Sequence, residues 1–529
     1  MNVAVDLLRH GAPSAPAVRA GGHELTYAEL RRSVDHLARA LVICGCRRQD
    51  RIAVLADNGS FFVRSYLGII QVGMVAVPLP TDASPRQLLQ MLENTGANAV
   101  LVSKQRAAGA RRWLETFTGT LLTEDDLDAR ESGSEVPVAA MDDGDIAAIM
   151  FTSGSVGRPH GVMVSHRNIA CNTADIISYL GLTSRDRVMV VLPFYYCYGL
   201  SLLHTHLAAG ASVVINNEFM FPERVLLEMD EQQCTGFAGV PSTYQILLRR
   251  SRFKHTRFPS LRWLQQAGGH LPTACIRELQ SAKPEVSLYV MYGQTEATAR
   301  LSYLPPDRLA DKVGSIGRGL SSTRLEVLRQ DGQPVTWGSD EVGEIVAYGD
   351  NVTGGYWNEP AETARYFRDG RLHTGDLARV DHEGFIYLVA RERQIIKSGG
   401  SRIGAKEVED VIAELPDVVE VAVVGTAHEI LGEAIVAFVA MTDSQRPPCV
   451  LDHCRSRLPA FKVPESVVYL SRLPHEGNGK VSTRALRESA ASLFASPSAD
   501  EGVHAVLGTM ESVVIEHKRR SWIPLADRS

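Results

Sequence analysis

The sequence predicts an α/β fold: a large N-terminal domain of α/β subdomains with a β-rich portion, then a small α+β C-terminal domain. Three observations carry this. Residues 1–145 alternate helix-like and strand-like runs, Arg324–Tyr348 is rich in strand-like residues, and past Arg393 the pattern shifts to a compact α+β unit. Thr26 caps the helical run TYAELRRSVDHLARALV, whose Leu30, Val34, Leu37 and Leu41 recur at helical spacing. RIAVLA, MVAVPLP and NAVLVS read as buried strands, and ligands in such folds sit at the carboxyl ends of strands. The polar stretch Glu131–Asp145 is a connector into a glycine-rich loop.

That loop is FTSGSVGRPHG, residues Phe151 to Gly161. Glycines let backbone N–H groups converge on an anion, and hydroxyls add neutral donors. The loop is not a Walker A loop, because no Gly-Lys-Ser/Thr follows at the required spacing. AAIMF before it and GVMVS after it are strand-like, with Ser165 as the N-cap of the next helix. A phosphate held here meets amides, hydroxyls and a basic side chain rather than a helix dipole. Taken alone, such a loop is more often a surface turn.

Further on, RVMVVLPFYYCYGL is a strand running into an aromatic turn. Tyr195, Tyr196 and Tyr198 suit the wall of a pocket for an apolar or aromatic acid, and equally suit a core with satisfied hydroxyls. FAGVPSTYQILLRR repeats the strand-then-helix grammar, and LYVMYGQTEAT ends a strand in Tyr292, Gly293, Gln294, Thr295 and Glu296. A ring, a hydroxyl and a carboxylate there suit a base, a phosphate and Mg²⁺ in turn. In HTGDLARVDHEGFIYLVARER, Asp376 follows a small turn and Arg391 ends a strand, a pair suited to ribose hydroxyls. In RLPHEGNGKVSTRALR, Pro474, Gly477 and Gly479 make a mobile loop presenting Lys480, which alone would read as an exposed surface lysine.

Composition excludes several classes. With 529 residues, 45% hydrophobic and a net charge of −6, the chain has apolar material for more than one core and no charge bias toward nucleic acid. Met1–Ala20 carries Asp6 in its only apolar run and lacks a basic start, so it is not expected to be a signal peptide. No run reaches the ~20 apolar residues of a membrane helix. Eight scattered cysteines form no paired metal-ligand pattern, and a reduced, cytoplasmic enzyme is the expectation.

Taken together, LTYAEL, FTSGSVGRPHG, PFYYCYG, YGQTE, GYWN, HTGD, ARERQIIKSGG and GNGK resemble, in order and spacing, the adenylate-forming superfamily of acyl-CoA synthetases, carrier-loading adenylation enzymes and luciferases. The resemblance covers roughly residues 5–488 and implies an N-terminal domain over 1–392, a mobile domain over 393–489 that rotates about Arg393, and a tail over 490–529 of no assigned role. It also implies site residues. Thr152, Ser153, Gly154, Ser155, Gly157 and His160 would wrap the ATP phosphates, with Thr295 beside the α-phosphate and Glu296 on Mg²⁺. Gly268, Gly269, Tyr292, Gly293 and Gln294 would hold AMP's base side, and Asp376 and Arg391 its ribose. Tyr195, Tyr196, Phe237 and Gly239 would line the acid pocket. Lys480 would bridge the acid's carboxylate and the α-phosphate, and Lys397, Gly399, Gly400 and Arg402 would line the path of the acceptor's pantetheine.

Two departures from the family pattern stand out. The family's phosphate-loop lysine is His160 and a loop threonine is Val156; the turn histidine of many acyl-activating members is Tyr196. An imidazole is mostly neutral at pH 7, so it is a weaker phosphate partner than a lysine. The implied activity is ATP-dependent conversion of a carboxylic acid to acyl-AMP, then transfer to a thiol, with coenzyme A expected first. A carrier-protein phosphopantetheine or an amine is the alternative acceptor, and a catalytically silent nucleotide-binding protein is a further reading. The acid is expected to be apolar or aromatic, because no acidic residue between Pro193 and Leu207 stands ready to pair an amino acid's ammonium.

Overall fold

The computed structural model describes residues 1–129, 138–152, 159–391, 395–442, 449–495 and 514–517. Ser153, Gly154, Ser155, Val156, Gly157 and Arg393 therefore lie outside the described residues. Two sheets build the N-terminal part. One has six strands, in the order Thr120–Thr123, Ala99–Val102, Arg51–Leu55, Val75–Pro78, Ile146–Thr152 and His160–Ser165. All neighbours run parallel except the last pair, where Ile146–Thr152 and His160–Ser165 are antiparallel and Thr152 faces His160. The glycine-rich stretch thus joins two strands, as its flanks predict. Ser165 caps the helix His166–Leu180 with a full capping box, and Thr26 does the same for Tyr27–Ile43.

The second sheet has fourteen strands. In its parallel section, Ser287–Tyr292, Trp263–Gln266, Gly236–Gly239, Arg187–Val190, Ser212–Ile215 and Pro16–Ala20 lie side by side. An antiparallel section continues through Ser302–Leu304, Ser315–Gly319, Ile386–Arg391, Arg371–Val380, Gly343–Gly349 and Thr323–Leu328. That section is the expected β-rich portion. Asp376 is a correction: it does not follow a separate turn but sits inside the ten-residue strand Arg371–Val380. Gly375, at φ +70°, kinks that strand where its pairing with Gly343–Gly349 shifts register.

The C-terminal part has its own six-stranded sheet, with the helices Ala405–Ile412, Val450–Arg457 and Thr483–Ala495. Its two apolar clusters, around Val439 and Phe438, contain only residues beyond 395. What joins it to the rest is polar: His270 Nε2 meets Asp410 at 2.8 Å, Gly477 N–H donates to Asp82 at 2.9 Å, and the Ser242 hydroxyl donates to the Gly479 carbonyl. A contact made of hydrogen bonds, with no shared apolar core, suits a unit that separates and redocks. The expected edge at residue 489 cuts through a helix, since Thr483–Ala495 runs past it and buries Ala490 completely. Within the tail, Val514–His517 adds an antiparallel strand to Ser466–Leu470, with Glu516 accepting from Tyr469 at 2.6 Å. Among the described residues no helix is long and apolar enough to cross a membrane.

Candidate active site

The carboxyl ends of the parallel strands converge with the loop that carries Lys480. Strand Trp263–Gln266 runs into Gly268, whose φ of +88° and close neighbours, the Tyr196 hydroxyl and Lys480 Cε, leave no room for a Cβ. Lys480 is partly buried, not the exposed lysine that the residue type alone suggests, and its Nζ lies 4.9 Å from the centre of the Tyr196 ring. Burial works most strongly against the ammonium, but Tyr196 and Cys197 beside it together offset this and leave Lys480 above its ordinary pKa. Burial likewise raises the Tyr196 phenol, so the pair at neutral pH is a charged lysine and a neutral tyrosine.

The Lys480 loop is docked rather than free. Asp82 accepts from Gly477 N–H through one oxygen and from the Tyr195 hydroxyl through the other, both at 2.9 Å. Tyr195 thus faces the loop, Tyr196 faces Lys480, and Tyr198 turns into the core, where its hydroxyl donates to the Gln265 carbonyl at 2.9 Å. The sequence left pocket and core open for these three tyrosines, and Tyr198 takes the core. Phe237 is a correction. It is 1% exposed and packs edge-on against Tyr244 in the core, not in an acid pocket. Gly239 ends that same strand, and a Cβ there would press on Thr243.

Around this centre, Thr295 is buried and donates to the Cys197 sulfur at 3.2 Å, while burial holds that thiol protonated. Glu296 accepts from the Tyr356 hydroxyl at 2.8 Å, and its carbonyl holds Thr353. Gln294 Nε2 is buried without a partner, a donor short of an acceptor. Asp376 gathers the Tyr292 hydroxyl at 2.7 Å and Arg391 Nε at 3.4 Å. Tyr292 itself is 9% exposed, its ring packed in the β-rich core, so it meets the site through its hydroxyl. Among the described residues no cluster of three or more His, Cys, Asp or Glu forms a metal cage. A single carboxylate, Glu296, which also holds the Tyr356 hydroxyl, fits a metal ion that arrives with phosphates, since such an ion keeps most of its ligands from phosphate and water.

On the two strands that flank the glycine-rich stretch, Thr152 donates to the His160 carbonyl at 3.5 Å, and His160 Nδ1 pairs with Glu359. That carboxylate, which also accepts from Asn94 at 3.3 Å, offsets any charge the imidazole carries. Neither Glu359 nor Tyr356 is assigned by the sequence reading, although GYWN ends one residue short of Glu359. If the side chain at this position meets the triphosphate, His160→Lys should lower the KM for ATP severalfold, because a lysine brings a lasting charge that Glu359 only partly offsets. An unchanged KM for ATP in His160→Lys would show that this side chain does not meet the phosphates.

The Lys397, Gly399, Gly400 and Arg402 set forms a hairpin, Ile395–Ser398 with Ser401–Gly404, closed by two glycines at φ +55° and +79°. It stands exposed, with Gly399 N–H bonded to the Leu431 carbonyl at 2.9 Å, and belongs to the C-terminal sheet rather than to the Lys480 centre.

One buried cation has no counterpart in the sequence reading. Arg300 is 1% exposed, and its Cζ stands 4.4 Å over the Tyr198 ring. Its hydrogen bonds go only to neutral oxygens, Tyr179 Oη and Gln265 Oε1, both at a long 3.4 Å. Burying an ion costs several kcal/mol, whereas a desolvated cation–π contact returns about 2 kcal/mol.

A profile described as "AMP-binding enzyme" matches residues 9–357, and one described as "AMP-binding enzyme C-terminal domain" matches residues 407–480. The chain belongs to the AMP-binding enzyme family. A feruloyl-CoA synthase of Amycolatopsis sp is 34% identical over 89% of this chain and 95% of its own length. A 2-succinylbenzoate–CoA ligase of Bacillus velezensis is 30% identical over 88% and 93%. Among solved structures, the o-succinylbenzoate CoA synthetase MenE from Bacillus subtilis, in complex with the acyl-adenylate OSB-AMP, superposes with a TM-score of 0.81 at 28% identity, covering 92% of this chain and 98% of that one. ATP-bound MatB from Rhodopseudomonas palustris gives 0.84 at 27% identity, covering 93% and 99%. The AMP-binding enzyme described here is an AMP-forming acid–thiol ligase: it activates a carboxylic acid with ATP and passes the acyl group to a thiol.

Proposed function

We propose that the acid is small and apolar or aromatic, and that the residues gathered around Lys480 perform its adenylation. The observation that supports this most is the insertion of a charged lysine from the C-terminal part between Tyr196 and Gly268. An acid oxygen attacks the α-phosphorus of ATP and pyrophosphate leaves. Lys480 would span that oxygen and the α-phosphate, where negative charge gathers. Thr295 would turn its hydroxyl from Cys197 to the same phosphate, Glu296 would hold the metal ion, and Asp376 with Arg391 the ribose. Thr152 and His160 flank the loop on the phosphate side. Withdrawal of the C-terminal part would remove Lys480 and bring the Gly399–Gly400 hairpin round as the thiol's path, so that the thiolate attacks the acyl carbon and AMP leaves.

The two ligases compared with this chain act with coenzyme A, which favours coenzyme A over a carrier protein or an amine. Eight free cysteines suit a reduced cytoplasmic setting. ATP–pyrophosphate exchange across a panel of carboxylic acids tests the first half, and mass spectrometry of acyl-CoA tests the second. Exchange with no acid would favour a silent nucleotide-binding protein; acyl-AMP that ignores coenzyme A but reacts with a carrier protein or amine would move the acceptor. Gly400→Trp should block acyl-CoA formation with pyrophosphate release intact. Gly400→Ala, which bears the same backbone cost at φ +79° in open space, should not.

A further inference from the structure

We infer that Arg300 and Gln265 form a buried anion-recognising subsite behind the rings of Tyr198 and Tyr196, so that the acid activated carries a second carboxylate on its ring or tail. This rests on the acid-activating function proposed for the Lys480 centre and adds the class of acid.

Two independent observations meet here. Arg300 is fully buried, and among the described residues no carboxylate pairs with it. Gln265, 0% exposed, spends its side-chain oxygen on Arg300 and leaves its Nε2 buried with no partner at all. A guanidinium and an amide donor side by side, both short of acceptors, are complementary to a carboxylate. The position is built rather than incidental. Asn172 and Asn351 both donate to the Arg300 carbonyl, at 2.9 and 2.8 Å, and Asn172 also accepts from its N–H, which fixes the backbone from which the side chain departs.

The subsite adjoins the Lys480 centre. Arg300 lies over the ring of Tyr198, Tyr198 stands edge-on to Tyr196 with centroids 6.2 Å apart, and Tyr196 covers Lys480. Gln265 precedes Gly268 by one turn of chain at the end of its strand. One carboxylate of the acid would meet Lys480 and the other Arg300, with the aromatic walls between them. A monocarboxylic acid would leave the guanidinium as it stands now, held only by a ring and two long bonds.

The test compares hydrocinnamate with its ortho-, meta- and para-carboxyl derivatives and the matching carboxamides in ATP–pyrophosphate exchange. One ring-carboxylated acid should exceed hydrocinnamate in kcat/KM by on the order of tenfold to a hundredfold, and exceed its own carboxamide. Arg300→Gln should bring the ratio to about one. Because Arg300 is buried, Gln265→Glu serves as a second variant: it places a carboxylate against Arg300 from within. It should keep or raise Tm while abolishing the preference. Thermal shift by the dicarboxylate, read without turnover, separates the two readings. A shift in wild type that Arg300→Gln loses, with no exchange by any acid, overturns the activity and keeps the subsite. Exchange with hydrocinnamate as good as with every dicarboxylate, in wild type and variants alike, overturns the subsite and keeps the activity. Neither shift nor exchange with any of these acids overturns the subsite as well.

Discussion

Lys480→Ala should lose acyl-adenylate formation by roughly a thousandfold while transfer from chemically supplied acyl-adenylate to coenzyme A continues. Removing one preorganised charge from a water-poor site costs on the order of a hundred- to a thousandfold in rate. Lys480 belongs at the upper end, because its neighbours leave it charged, and because the acid oxygen and the α-phosphate repel each other unless a cation lies between them. The split between half-reactions comes from where the lysine is attached. It hangs from a part whose apolar core is its own and whose contacts with the rest are polar, so the geometry of thioester formation need not include it. Rapid-quench measurement of each half-reaction decides the matter. An equal fall in both would mean that Lys480 also serves the thioester step, or that its loss disorders the whole centre.

Much of this arrangement is legible in the sequence because local chemistry dictates it. Thr26 and Ser165 cap the helices that the sequence assigns to them, since a hydroxyl before an apolar-periodic run satisfies orphan N–H groups wherever the helix lies. The pairing of Asp376 with Arg391 is also readable, because the strands Arg371–Val380 and Ile386–Arg391 are neighbours in sequence as well as in the sheet. What escapes has its cause in distance or in parity. Asp82 meets Gly477 across 395 positions, and Glu359 meets His160 across 199, and neither acid sits in a motif that announces its partner. Phe237 lies on a four-residue strand buried on both faces, where alternation gives two equivalent sides and no rule says which one lines a pocket. Gly375 reads as a turn residue, but its positive φ kinks a long strand instead. Arg300 comes two residues after the YGQTEAT run, and only its burial without a carboxylate marks it.

The docking of the Lys480 loop gives the second large effect, through a residue far from any reacting atom. Gly477 brings its N–H to Asp82, and a Cβ built there would overlap both the Asp82 carboxyl and the Tyr195 hydroxyl. Its backbone has no positive φ that excludes other residues, so substitution acts on docking and not on local folding. Gly477→Val should therefore reduce acyl-adenylate formation nearly as far as Lys480→Ala, with Tm and transfer from supplied acyl-adenylate unchanged. Asp82→Ala removes two charge-assisted bonds at a solvent-exposed edge, one of them to the loop, and should cost only about tenfold in the same step. The combination is the sharper measurement. Asp82→Ala with Tyr195→Phe clears the atoms that a new Cβ would meet, so Gly477→Ala should cost less in that background than in wild type. Non-additivity of that sign is what contact between the three residues requires. Strictly additive losses would mean that the loop reaches the site without touching Asp82, and that the lysine is positioned by Ser242 and Tyr196 alone.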